Sequence, residues 1–348
     1  MNSMKAKSRK LRQKHATQEP RVPLRTLTHL KMPIRVHVVE RKSGINPTPE
    51  FVLKGLADYS VNPAVKCDHA CAYCSSGSTL RRLQAFKDTG ENPFEHGFAI
   101  VDPDMPARVR KDAQRLRNSK GTVQLCTLVD AWSPVAQEYD LGRQCLAAIL
   151  EESSMQVRCL TKNAAITKDF DLISKYKDRV LVGLSLTGTP DKSSVISVLE
   201  PNASPVEERI AAMQEAHRRG LRTYGMLCPL MPGIADAPNQ VDELVKTAIG
   251  FGAEEIFAEA VNPRGRGLLL CVDWLQKAGF TTEAHEIDQI RHMQHRSPYM
   301  ANLIANVQQS VRRHGDIKDL RFLLYSKGMA PADLTRVRRD KAGIIWLS

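Results

Sequence analysis

The 348-residue sequence predicts an α/β protein built on an open, partial (β/α)6 barrel. Two observations carry that expectation. From about residue 120, short β-rich runs alternate with amphipathic stretches of helical period, as parallel strands joined by crossover helices do. The strand-like runs number six, which leaves a barrel open where eight would close it.

The first strand lies within "LKGLADYSVN" (53–62). It is followed by "TVQLCTLV" (122–129), "VRCLT" (157–161), "RVLVGLSLT" (179–187), "RTYGMLCPL" (222–230) and "EIFAEAV" (255–261). Helices are expected over about 138–152, 166–177, 205–219 and 240–250. The third should open on Ser204 as N-cap with Pro205 at N1 and end at Gly220. Beyond Val261 the pattern changes to a long helical stretch (283–314), "LRFLLYS", a short helix opened by Pro331, and "GIIWL". The expected organisation is a basic tail over 1–30, a barrel over 31–267 and a C-terminal helical/β cap over 268–348.

Hydrophobic residues make up 42% of the chain, enough for a sizeable core. No apolar run approaches 18 residues and no secretory signal opens the sequence, so neither a membrane partner nor export is expected and the cytoplasm is the expected location. Three of the eight cysteines cluster and five are scattered, which fits a metal site plus buried thiols in a reducing compartment better than a disulfide framework. The net charge of +12 is concentrated at the start: Lys5, Lys7, Arg9, Lys10, Arg12, Lys14, Arg21 and Arg25 stand against Glu19 alone. That stretch has too little apolar content to order itself and suits either an electrostatic arm for nucleic-acid phosphates or a solubilising tail.

The cluster is "KCDHACAYC" (66–74), with Cys67, Cys71 and Cys74 spaced C-x3-C-x2-C just after the first strand. In parallel β/α proteins the carboxyl ends of strands carry the chemistry. Structural zinc takes four ligands, and His69 is the fourth donor available inside this loop. Three thiols on a [4Fe-4S] cluster instead leave one iron open to a substrate or cofactor. The motif, with Tyr73 just before the last cysteine, resembles the radical S-adenosylmethionine (SAM) superfamily. There, SAM chelates the open iron and is reductively cleaved to methionine and a 5'-deoxyadenosyl radical.

The segments "TLVDAWSP" (127–134), "LTKN" (160–163), "SLTG" (185–188), "LEPNASPVEERIAAM" (199–213), "PLMPGIAD" (229–236) and "NPRGRG" (262–267) resemble the ordered landmarks of the spore photoproduct lyase-like branch, also labelled DNA repair photolyases. The resemblance implies that Cys67, Cys71 and Cys74 ligate the cluster and that Tyr73 lies against the SAM adenine. It implies that Lys162 meets the SAM carboxylate, Ser185 is a polar SAM contact and Asp130 accepts from the SAM ammonium. Glu200, Arg209 and Asn262 also fall on landmarks, where an ion pair or a loop-fixing role explains them equally. The implied reaction is lyase- or isomerase-type hydrogen abstraction from a thymine or modified base in DNA, with flavodoxin or ferredoxin as reductant. A peptide or small metabolite as substrate, and a non-catalytic iron–sulfur protein, are the alternatives.

The departures from that pattern matter. The lyase's donor cysteine position holds Leu128, and the nearest thiol is Cys126, which strand alternation would turn to the same side one layer deeper. Cys126 is therefore a candidate hydrogen-atom donor or a packed core thiol. Ser75 stands where the lyase has a tyrosine, and Ala136 where many branch members have a glutamate. Elsewhere, His285, Asp288, His292 and His295 are spaced to share a helix face, with solvation expected over metal binding. "GRG" (265–267) reads as loop geometry, and Arg264 and Arg266 beside it suit phosphates or a carboxylate.

Overall fold

The structure, a computed structural model, describes residues 23–347, so the basic run from Lys5 to Arg21 lies outside the described residues. The strands are β1 (Arg25–Leu27), β2 (Ile34–Val38), β3 (Asn46–Pro47), β4 (Tyr59–Val61), β5 (Ala64–Lys66), β6 (Phe98–Val101), β7 (Thr122–Leu125), β8 (Gln156–Thr161), β9 (Val180–Leu186), β10 (Arg222–Leu230), β11 (Ala253–Ala260), β12 (Leu320–Tyr325) and β13 (Ile344–Leu347).

Nine of them form one sheet in the order β13-β12-β11-β10-β9-β8-β7-β4-β3. All neighbours from β4 to β13 pair parallel, and β3 runs antiparallel along the edge of β4. Because β3 and β13 stand at opposite edges, the barrel is not closed. The six expected strands are β4 and β7 to β11. Every residue of β9 is buried, as helices on one side and a filled interior on the other require.

The C-terminal helical/β segment extends this sheet with β12 and β13. The helices Gly267–Lys277, Thr281–Gln289 and Met293–His314 act as a long crossover that returns the chain parallel to β11. Leu320, Phe322 and Leu324 then pack into the main core while Leu323 turns to the barrel interior. The break between the second and third of these helices separates His285 and Asp288 from His292 and His295. The three histidines are exposed and Asp288 pairs with Arg291 at 2.6 Å.

At the third expected helix the cap shifts by one residue: the helix begins at Val206 with Pro205 as N-cap. The expected tail also ends early, since Arg25–Leu27 forms β1 of a four-stranded sheet ordered β1-β2-β6-β5. This sheet matters because β5 runs directly into Cys67. The barrel's lower interior is filled: Tyr224 donates to Cys159 O at 3.1 Å and stacks edge-on with Phe257, beneath the Arg158 guanidinium. Gly183 makes that possible, since a Cβ there would lie 2.5 Å from the Tyr224 ring. Among the described residues, the barrel interior opens as a cleft at the carboxyl ends of the strands.

Candidate active site

The thiol loop is held chiefly by its backbone and by Asp68, while Cys74 Sγ lies 3.0 Å from Ser76 Oγ. Ala72 N donates to Leu199 O at 2.8 Å, Asn202 Nδ2 donates to Asp68 O at 2.9 Å, and Val135 N donates to Asp68 Oδ2 at 2.9 Å. From the other side the helix Gly267–Lys277 abuts the loop so closely that a Cβ on Gly267 would sit 2.8 Å from Tyr73 O. The glycine ending the "GRG" run is thus a close-approach residue.

Beneath the loop lies a buried charge network. Tyr73 Oη donates to Glu200, Arg209 binds the same carboxylate, and Lys162 Nζ stands 3.3 Å from it. Arg209, 1% exposed, also donates to Ser185 O (3.0 Å) and Ser204 O (2.7 Å). Burial opposes the Glu200 charge, but Arg209, Lys162 and the donated hydrogen bonds overcome it and hold the carboxyl at about 2. Lys162 further lies 5.6 Å above the Tyr73 ring and donates to Cys228 O at 3.3 Å. For Glu200 and Arg209 the structure shows an ion pair that also ties down the Ser185 and Ser204 carbonyls.

Asp130 is already bonded. Its carboxylate accepts from Trp132 N (2.9 Å), Thr161 Oγ1 (2.8 Å) and Lys162 N (2.8 Å), with His69 Nδ1 at 3.4 Å. It clamps the end of β8 to the loop after β7, a duty different from the free ammonium acceptor the resemblance implies. Asp130→Ala should therefore cost about 2–4 kcal/mol by stranding buried donors, measured as a lowered denaturant midpoint with an unchanged far-UV spectrum. A shift below about 0.5 kcal/mol contradicts the clamp.

Cys126 is where strand-parity reasoning gives way. The strand β7 ends at Leu125, and Cys126 adopts φ 76°, so the chain turns before alternation reaches Leu128. Cys126 Sγ accepts from Ala131 N at 3.0 Å, and burial pushes its thiol well up, keeping it as S–H. Both Cys126 and Leu128 line the cleft.

That cleft, about 300 Å³, opens at the carboxyl ends of the strands and is lined by Cys67, Cys71, Cys74, Tyr73, Cys126, Asp130, Lys162, Ser185 and Asn262. Sequence reasoning missed Cys228, Glu259, Lys54 and Tyr325, which complete its far side. Cys228 was within reach, since it ends "YGMLC" near the carboxyl end of β10.

The residues fit an iron–sulfur cluster. Burial pushes the Cys67 thiol well up and that of Cys71 to about 12, so a cationic centre is what would hold them as thiolates. His69 Nε2 is buried without a partner among the described residues, an orphan within the same loop. Among the described residues no three His, Cys, Asp or Glu side chains gather as a single metal ion needs. A cluster places each thiol on a different iron and has no such requirement.

The radical SAM superfamily model matches residues 61–247, more than half the chain. An uncharacterised protein of Acidianus two-tailed virus is 26% identical over 227 residues, covering 62% of this chain and 71% of the other. An uncharacterised protein of Mycobacterium tuberculosis is 24% identical over 269 residues, covering 77% and 76%. A spore photoproduct lyase variant superposes with a TM-score of 0.55 at 14% identity, over 81% of this chain and 79% of that one. Another, with bound AdoMet and dinucleoside spore photoproduct, superposes with a TM-score of 0.50 at 16% identity, over 70% of this chain and 66% of that one. With three thiols on the loop that follows the first barrel strand, and a matching model over the strands that surround it, the chain belongs to the radical SAM superfamily and shares the fold of spore photoproduct lyase.

Proposed function

We propose that the protein is a radical SAM enzyme that abstracts a hydrogen atom from a thymine or modified base in DNA. The observation that carries the radical chemistry is the convergence of Cys67, Cys71, Cys74, Lys162 and Ser185 on one cleft at the open end of the barrel. Cys67, Cys71 and Cys74 would hold a [4Fe-4S] cluster, which with SAM would supply the 5'-deoxyadenosyl radical. The chain's own residues do the rest. Lys162 offers an ammonium, held near Glu200, to the SAM carboxylate. Ser185, kept in place through Arg209 on its carbonyl, offers a hydroxyl beside it. Cys126 presents a protonated thiol in the same cleft, the state a hydrogen-atom donor needs.

Superfamily membership supports the cofactors, and a flavodoxin- or ferredoxin-type protein would be the electron source. The shared fold with an enzyme crystallised with a dinucleoside spore photoproduct supports the nucleic-acid substrate. Leu128 and Ser75 depart from that lyase's pattern and Ala136 from that of many branch members, so a reaction other than the lyase's own is expected on the base. The test is an anaerobic assay of reconstituted, reduced protein with SAM, following 5'-deoxyadenosine with and without thymine oligonucleotides carrying deuterium. Deuterium transfer into 5'-deoxyadenosine is the expected result. Formation of 5'-deoxyadenosine that no oligonucleotide stimulates or labels would shift the substrate to a peptide or metabolite. Its absence from cluster-loaded protein would overturn the enzyme.

A further inference from the structure

We infer that the wall of the cleft made by Lys54, Arg264 and Tyr325 is a phosphate-binding site that seats the backbone of a nucleotide substrate. This rests on the reading above for the cleft's identity as a substrate site. Every residue of the wall lies outside 61–247, the stretch that the superfamily model matches and that holds the thiols. The shared chemistry and this wall thus come from different parts of the chain, as a common reaction and an individual substrate require.

Three distant segments build it: Lys54 ends the helix Pro49–Leu53, Arg264 follows β11, and Tyr325 closes β12. Lys54 Nζ lies 4.8 Å from the Phe51 ring centre and 5.7 Å from that of Tyr325, and Arg264 Cζ lies 5.1 Å from Tyr325. Aromatic faces hold cations in place without consuming their N–H groups. Among the described residues neither cation has a carboxylate oxygen within 4.0 Å. Asn262 Oδ1 accepts from Arg264 N at 2.9 Å and so fixes the loop that carries the guanidinium. Two positioned cations with donors to spare suit a phosphate, which accepts from an Arg fork and a Lys point charge together.

Glu259 is the group that could oppose an anion here. It lies 3.8 Å from Cys228 Sγ, and burial pushes its carboxyl up although the Lys54 cation pulls it back. Among the described residues it makes no ion pair within 4.0 Å with Lys54 or Arg264, so both cations remain open to an anion in the cleft.

The test compares thymidylyl-(3'→5')-thymidine with its uncharged methylphosphonate analogue by equilibrium dialysis against full-length, reconstituted protein with SAM. The wild type should prefer the charged probe by about tenfold or more. In Lys54→Ala/Arg264→Ala that preference should fall to about twofold or less, with a far-UV spectrum matching the wild type. Equal binding of both probes by the wild type, or a preference that survives in the double variant, overturns the site. Dialysis needs no turnover, so failure of the wild type to form 5'-deoxyadenosine would strike the radical chemistry alone and leave this comparison to decide the wall.

Discussion

Replacing Cys71 by alanine should give a folded chain that holds no [4Fe-4S] cluster and forms 5'-deoxyadenosine only at background. Folding should survive because the loop is pinned by Ala72 N, Asn202 and Val135 N, none of which involves the thiol. Loss of one small buried side chain costs about 1 kcal/mol. Chemistry should not survive, because two thiols cannot hold a cluster that needs three while leaving the fourth iron open. Iron and sulfide content, with the visible charge-transfer absorbance, separates this from general damage when Cys159→Ala is run beside it. Cys159 is buried in the core and outside the cleft, so that variant should load its cluster normally. A Cys71→Ala protein with wild-type iron and sulfide would remove Cys71 from the ligand set and with it the basis of the site.

The parts of the site that a reader of the sequence finds are those whose signal is local. The thiol loop, Lys162 in "LTKN" and Ser185 in "SLTG" each sit at the end of a strand, and a strand's end is visible as the point where a β-rich run stops. Cys126 shows the limit of that logic: parity along "TVQLCTLV" assumes extended backbone, and φ 76° at Cys126 breaks that assumption even though Cys126 and Leu128 both line the cleft. Asp130 shows another, since one carboxylate can face a cofactor or its own backbone, and only packing reveals that Trp132, Thr161 and Lys162 already occupy it. The C-terminal strands are ambiguous in the sequence because a run of four to six residues after a long helix does not say which sheet it joins. The wall of Lys54 and Tyr325 is hidden for a related reason: its partners are separated by most of the barrel, and no local period records such a contact.

The Glu200–Arg209 pair is where stability and function meet, and Arg209→Met should show it. Both partners are essentially excluded from water, with side-chain exposures of 0% and 1%. Removing the guanidinium leaves a buried carboxylate with Lys162 as its remaining cation and strips the donors from Ser185 O and Ser204 O. Breaking such a pair costs about 3–5 kcal/mol, roughly 4–7 °C in Tm. Glu200 also receives the Tyr73 hydroxyl, so the loss should loosen the thiol loop and lower cluster loading as well. The pH dependence has a definite sign. A carboxyl held at about 2 when folded, against an ordinary 4.5, contributes stability that is fully present above 4.5 and lost as pH falls through about 2. Urea midpoints taken across that window should therefore fall more steeply with acid in the wild type than in Glu200→Gln, which has no charge to lose. Parallel slopes in the two proteins would mean that the pair is not what keeps Glu200 ionised.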